Sequence, residues 1–178
     1  MGLRDTVQRM SLQGLEDESL VMEVTKRKFG GNVRKSTKNE DMKEHIDFWW
    51  ISDNGNEYGF DVKGVKKNKR TDKVGDDKIN WIELINVQGN PGWVYGNAKY
   101  IAFLTNESVL YVPRKKLASY IEEKIKGKPL STVNPSSCYI PYQRYGRMDM
   151  IVKVPTSDLK EIAKHEIMSV SYTHLTLP

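Results

Sequence analysis

Two alternating apolar stretches meet at a four-residue turn, and that junction limits the folds open to this chain. Residues 45–52, HIDFWWIS, set Ile46, Phe48 and Trp50 against His45, Asp47 and Trp49. The DNGN of residues 53–56 follows, a sequence suited to the positive φ values of a tight hairpin turn. A second strand then begins near Glu57 and pairs antiparallel with the first. It runs through YGFDVKG, where Phe60 and Val62 point one way and Asp61 and Lys63 the other. One face of that strand belongs to a core, and the other carries an acid and a lysine two residues apart.

The chain has 178 residues, 38% of them hydrophobic, enough for one domain with a substantial core. Residues 1–169 are read as that domain. Residues 170–178, VSYTHLTLP, resemble translated sequencing-adapter sequence and are expected to be a non-native tail replacing the natural C-terminus, so His174 is set aside from any site. The formal net charge of +5 favours a polyanionic partner. A single cysteine, Cys138, excludes an internal disulfide. Neither a signal peptide nor a bilayer-length apolar run is present, so a cytoplasmic location without a membrane partner is expected.

Residues 14–30 read as a first helix stopped by Gly30 and Gly31, with Leu15, Val21, Met22 and Phe29 on one stripe and Leu20 and Val24 off it. Glu18 falls on that stripe, whereas Glu16 and Glu23 fall on the polar side. An acid on a buried stripe costs free energy unless a cation or base partners it. Residues 33–44 have no clear period and read as a loop or a frayed, partly helical connection. INWIELINVQ, residues 79–88, makes a third strand with Trp81, Glu83 and Ile85 on one face and Ile82, Leu84 and Asn86 on the other. GNPGWVYGN is a turn with one helical turn at Trp93. YIAFLT and VLYVP form a hairpin, followed by a helix from Arg114 to Ile125, an irregular stretch over residues 128–147, a last strand MDMIVKVP and a last helix TSDLKEIAKHEI capped by Thr156 or Ser157.

Glu18, Asp47, Asp61 and Lys63 thus occur in the order helix acid, strand acid, acid-x-lysine on the neighbouring strand. A hard divalent cation such as Mg²⁺ takes oxygen ligands, usually one or two carboxylates with water and phosphate oxygens, and Asp47 and Asp61 meet that need. Lys63 can orient or deprotonate a water and offset charge building on phosphorus. Glu18 can hold a metal-bound water or complete a second metal position. Glu23 takes that role if the helix is rotated. Glu83 is either a further network acid or a strand acid paired with a lysine. His45 shares the face of Asp47 and is not assigned a role.

These motifs, GLEDE ending in Glu18, HIDFW with Asp47, and FDVKG with Asp61 and Lys63, resemble those of the PD-(D/E)XK nuclease superfamily, and within it the small Holliday-junction resolvases. The resemblance covers residues 14–104. It implies an α/β fold with a restriction-endonuclease-like core, a mixed central sheet flanked by helices and built as helix, three-stranded meander, crossover and further strand. It also implies Mg²⁺ or Mn²⁺ as cofactor, phosphodiester cleavage in DNA, branched or junction DNA included, and a homodimer, since junction resolvases work as symmetric pairs. Two positions depart from the family pattern. Ile46 stands where proline is usual, and Asp61 where glutamate is commoner, but both sites keep a carboxylate. The crossover helix is replaced by the GNPGWVYGN turn.

Lys66, Lys67, Lys69, Arg70 and Lys73 follow the proposed catalytic lysine directly and are expected to meet backbone phosphates. Arg144 and Arg147, flanked by Tyr142 and Tyr145, form a second basic and aromatic cluster able to stack on exposed bases. Two rival readings remain: a nucleic-acid-binding module on the same fold without cleavage, and a basic protein-interaction domain.

Overall fold

The computed structural model describes residues 3–67 and 72–168, with the backbone alone for residues 3–13. Lys69, Arg70 and the tail at 170–178 lie outside the described residues. The hairpin forms where the alternation places it. Strand β2 (Phe48–Ile51) pairs antiparallel with β3 (Glu57–Lys63), with Phe48 opposite Phe60 and Trp50 opposite Tyr58. Gly55, at φ 84, closes the turn through its N–H on the Ser52 carbonyl at 2.9 Å.

The rest of the sheet departs from the expected meander. Its third antiparallel member is β1 (Asn32–Lys35), drawn from the segment read as loop, and the order is β1-β2-β3-β5-β6-β8. A four-residue edge strand of sequence NVRK has too few apolar positions to show a period of two, and its charges suit a sheet edge. On its other side β3 runs parallel to β5 (Tyr100–Leu104). The third strand expected from the sequence, β4 (Ile79–Ile85), leaves this sheet and pairs with β7 (Met150–Pro155) in a separate two-stranded sheet. Ile82, Leu84, Val152 and Val154 from this second sheet are all buried together.

The central sheet is therefore mixed and buried on both faces. Ile101 and Phe103 of β5 face a core built with β4, β7, α2 (Arg114–Ile125) and α3 (Thr156–Ile162), whereas Ala102 and Leu104 face α1 (Leu3–Phe29). Strand β6 (Ser108–Pro113) divides its side chains the same way, with Leu110 and Val112 in the first core and Val109 and Tyr111 in the second. No helix among the described residues is long and apolar enough to cross a membrane.

Helix α1 is rotated from its expected setting. Val21, Val24 and Thr25 are buried, and Leu15 is 45% exposed. A threonine fills the core position because its hydroxyl is satisfied there: Thr25 Oγ1 donates to the Val21 carbonyl at 2.7 Å and lies 2.9 Å from the Tyr111 hydroxyl. The helix ends at Gly30 and Gly31, with φ of 72 and 68. A side chain at Gly31 would collide with the Ile51 carbonyl, so glycine allows β1 to turn back onto β2. The last helix is shorter than expected. After Ile162 the chain forms β8 (His165–Met168) against β6, with His165 opposite Tyr111. Neither Thr156 nor Ser157 caps α3. The position before it is Pro155, and the Thr156 hydroxyl instead donates to the Asp77 carbonyl and accepts from Asn80 Nδ2 at 2.9 Å, tying α3 to the start of β4.

The buried Thr25–Tyr111 pair generates a stability prediction. Thr25→Val leaves the Tyr111 hydroxyl buried without its partner and should cost about 1–3 kcal/mol in denaturant unfolding. Tyr111→Phe should cost less, because Thr25 keeps its bond to Val21. Combining the two should recover part of the loss, and strictly additive costs would show that the hydroxyls do not interact.

Candidate active site

Asp61 and Lys63 share the face of β3 opposite Phe60 and Val62, as the alternation requires, and that face is covered rather than solvated. Asp61 is 3% exposed. Its Oδ1 lies 2.7 Å from Lys63 Nζ, which stands 4.4 Å from the ring centre of Trp93. Trp93 sits on a short 3-10 turn, Trp93–Tyr95, that Arg114 holds by donating to the Ala98 and Val94 carbonyls at 2.8 and 3.1 Å. The second carboxylate oxygen, Asp61 Oδ2, is buried with no donor group on it, and when protonated Asp61 can share that proton with the Asp47 carboxylate. Burial, reinforced by the nearby Asp47 charge and opposed by Lys63, pushes the Asp61 carboxyl up to about 7.

Asp47 reaches the same place from the entrance of β2. The strand does not begin at His45: a π-helical turn, Glu40–Glu44, ends at His45 in the left-handed region, φ 53, and β2 starts at Phe48. Ile46 consequently packs in the core with β4, on the other side of the sheet from Phe48 and Trp50. Asp47 is fixed by three bonds to neighbouring strands. Its N–H donates to the Phe60 carbonyl at 2.8 Å, its carbonyl accepts from Ser36 N–H at 3.0 Å, and its Oδ2 accepts from Val62 N–H at 2.6 Å. The side chain is thereby held against β3 at the level of Asp61.

Glu18 and Asp41 complete the group. Glu18 is one-quarter exposed and 3.6 Å from Lys35 Nζ, and its carboxyl is raised first by burial and then by the Asp47 charge, with Lys35 opposing. Glu23 instead faces solvent, 2.8 Å from Arg27 one turn on, so despite the changed setting of the helix Glu18 is the acid of the two that faces inward. Asp41, read within a loop, is raised by burial and Asp47 and lowered by Lys63 and His45. A signal for it was present: Thr37 and Glu40 form a reciprocal capping pair, with Glu40 N–H on Thr37 Oγ1 at 3.3 Å and Thr37 N–H on Glu40 Oε2 at 2.7 Å. Arg34 holds Glu40 with two further bonds of 3.1 Å. Asp17, beside Glu18, packs against Gly64, where any side chain would collide with its carboxylate.

Other expected residues fall elsewhere. Glu83 lies in the second sheet on the side of β4 opposite Ile82 and Leu84, outside the electrostatic group around Asp47. Arg144 is committed to Asp149, a fully buried carboxylate, so its charge serves the fold of the 128–149 segment. Arg147 is exposed beside the fully exposed Tyr145. In the basic loop, Lys66 is anchored by its carbonyl accepting from Asp76 N–H at 3.0 Å, and Lys67 and Lys73 are exposed. Among the described residues no three His, Cys, Asp or Glu side chains stand as a preformed metal cage. Two carboxylates with water suffice for a magnesium-type ion.

The Asp61 environment predicts a pH dependence of stability in metal-free buffer. Because its folded-state value lies above the ordinary carboxylate range, the folded protein binds the proton more tightly than the unfolded chain. Stability should therefore fall as pH rises from about 4 to about 7 and level off above. Asp61→Asn should flatten that slope in melting curves taken with EDTA, and an unchanged slope would remove Asp61 as its source.

No family model, curated protein or solved structure matches this chain, so the site's own geometry carries the functional argument.

Proposed function

We propose that the protein is a divalent-metal-dependent nuclease of the PD-(D/E)XK type acting on DNA. The observation that carries this reading is Asp61 Oδ2: a buried carboxylate oxygen with no donor on it, beside a second fixed carboxylate, calls for a proton in metal-free protein or for a cation once both acids are ionised. The donor set is oxygen only, which suits Mg²⁺ or Mn²⁺. Asp47 and Asp61 would hold the ion, with Glu18 as the auxiliary acid and Asp41 behind it. When bound, such a cation polarises the phosphodiester and lowers the pKa of a water it holds.

The chain's own groups account for the remaining requirements. Val62 N–H orients the Asp47 carboxylate, leaving its Oδ1 free of that bond. Lys63 carries its charge to the same point, with the Trp93 ring fixing one side of the ammonium. Transfer of Asp61 to a cation would release Lys63 to orient water or to meet charge on the phosphoryl oxygens. Lys66 and Lys67 follow β3 just beyond Lys63, a position suited to phosphate contacts along a strand, and Lys73 lies in the stretch that returns to pair at Asp76 with Lys66. The order of helix α1, antiparallel β1-β2-β3 and parallel β5 also supports the superfamily reading. A binding module without cleavage is the alternative favoured by one observation, the closed Asp61–Lys63 pair, which such a module would retain as a buried ion pair.

Incubation with linear, nicked, branched and single-stranded DNA, with and without Mg²⁺ or Mn²⁺, decides between them. Metal-dependent cleavage is expected, and binding without cleavage under every metal condition would overturn the nuclease reading. Lys63→Ala should lower kcat by roughly two orders of magnitude with little change in DNA affinity. Glu18→Gln should reduce cleavage while Glu23→Gln leaves it intact. Independently of activity, Mn²⁺ should raise the melting temperature of the parent protein, and Asp47→Asn should abolish that rise.

A further inference from the structure

On the opposite face of β3 the sheet carries a cavity of about 210 Å³ lined by aromatic side chains. Its aromatic pairs lie directly across neighbouring strands: Trp50 opposite Tyr58, Phe60 opposite Tyr100, and Tyr111 opposite His165. Trp50 and Tyr58 are stacked at 5.3 Å, Phe60 and Tyr100 at 5.4 Å, and Phe29 closes one side 5.1 Å from His165. Among the described residues no leucine, isoleucine or valine lines the cavity. Helix α1 ends at Phe29, so it covers the sheet only up to the edge of this opening.

The platform is rigid. Trp50 Nε1 donates to the Gly30 carbonyl at 2.8 Å, and the Tyr111 hydroxyl is engaged by Thr25. The rim is basic: Lys164 lines the opening with its Nζ 3.4 Å from the Tyr100 hydroxyl, and Lys28 acts on His165 from the end of α1. Burial and these two lysines hold the His165 imidazole below its ordinary value.

Flat π-faces suit a planar ring, and sites for whole small molecules usually occupy about 300–1,000 Å³, so one ring system enters and the remainder of the ligand stays outside. Lys164 at the mouth, with Lys28 within electrostatic reach of His165, disfavours a quaternary ammonium, the usual guest of an aromatic cage, and favours an anion attached to the ring. We infer that this cavity binds a purine base bearing a phosphate, the base against the part-exposed Tyr58 and Tyr100 over a floor made by the buried Phe60, and the phosphate at Lys164 with Lys28 adding charge nearby. The site stands apart from the acidic group on the other face and requires no metal.

The test uses the full chain in EDTA, with binding followed by calorimetry and tryptophan fluorescence. AMP should bind, adenosine more weakly, and ribose 5-phosphate more weakly still. Tyr58→Leu and Tyr100→Leu, which keep apolar bulk without the flat face, should each weaken AMP by about tenfold. Lys164→Glu, an exposed substitution, should weaken AMP while leaving adenosine unchanged. A short oligonucleotide with one adenine among abasic positions distinguishes the source: tighter binding than AMP assigns the site to a base of a strand, and weaker binding to a free nucleotide. Ribose 5-phosphate binding as well as AMP, choline binding in preference, or AMP affinity unmoved by all three variants would each overturn the site. Lys63→Ala should retain AMP binding, so failure here leaves the cleavage reading intact.

Discussion

The hydrogen bond from Val62 N–H to the Asp47 carboxylate, 2.6 Å long, joins the entrance of β2 to the exit of β3 and sets the geometry on which the acidic group depends. A β-strand normally spends its N–H groups on neighbouring backbones. Here one is spent on a side chain just before β2 begins, where the left-handed His45 interrupts the alternation while the Asp47 backbone still bonds to Phe60 on one side and Ser36 on the other. The carboxylate therefore approaches β3 from its edge, where it meets Asp61 from one side and Glu18 of α1 from the other. Had β2 extended back through His45, strict alternation would have aimed Asp47 at only one face of the sheet.

This arrangement is expensive. Asp61 is buried with one oxygen unpartnered, next to a second carboxylate, and Lys63 offsets only part of that cost. The surrounding structure sustains it because β3 has neighbours on both sides, and both sheet faces are covered by separate cores. Other buried polar groups are paired, Thr25 with Tyr111, Asp149 with Arg144 and Ser108 with Glu166, and besides Asp61 Oδ2 only the neutral Ser36 Oγ and Trp49 Nε1 lack a partner among the described residues. Against that background the acid pair is the one charged group in the described interior left partly unsatisfied, and folding stability is given up there.

Much of this was legible in the chain, for reasons that are local. The β2–β3 hairpin, the inward and outward sides of Phe60 to Lys63, the β5–β6 hairpin and the Arg114–Ile125 helix follow from alternation, turn residues and helix stops acting within a few positions. What was not legible depended on distant partners. NVRK becomes a strand only because β2 offers an edge, and HEIM because β6 does. INWIELI reads as a strand in isolation, but nothing within it says that its partner is β7, far along the chain, rather than β3. The rotation of α1 was misjudged because hydropathy counts Thr25 as polar, whereas its hydroxyl is fully satisfied in the core. Asp41 was missed since the Thr37–Glu40 capping pair, which announces the turn that carries it, sits in a stretch with no apolar period.

The two faces of β3 differ in chemistry while sharing one backbone. Phe60 lies in the aromatic face and Asp61 in the acidic group, so consecutive residues of one strand contribute to both. A strand's period of two makes this unavoidable: any register that aims Asp61 and Lys63 at Trp93 must aim Phe60 at Tyr100 and Tyr111. A one-residue slip of β3 would bury Asp61 among aromatic rings and expose Phe60 to the acids, losing both arrangements together. The stacked cross-strand pairs Phe48–Phe60 and Phe60–Tyr100 oppose such a slip from both neighbouring strands, and so the aromatic face fixes the register on which the acid geometry relies.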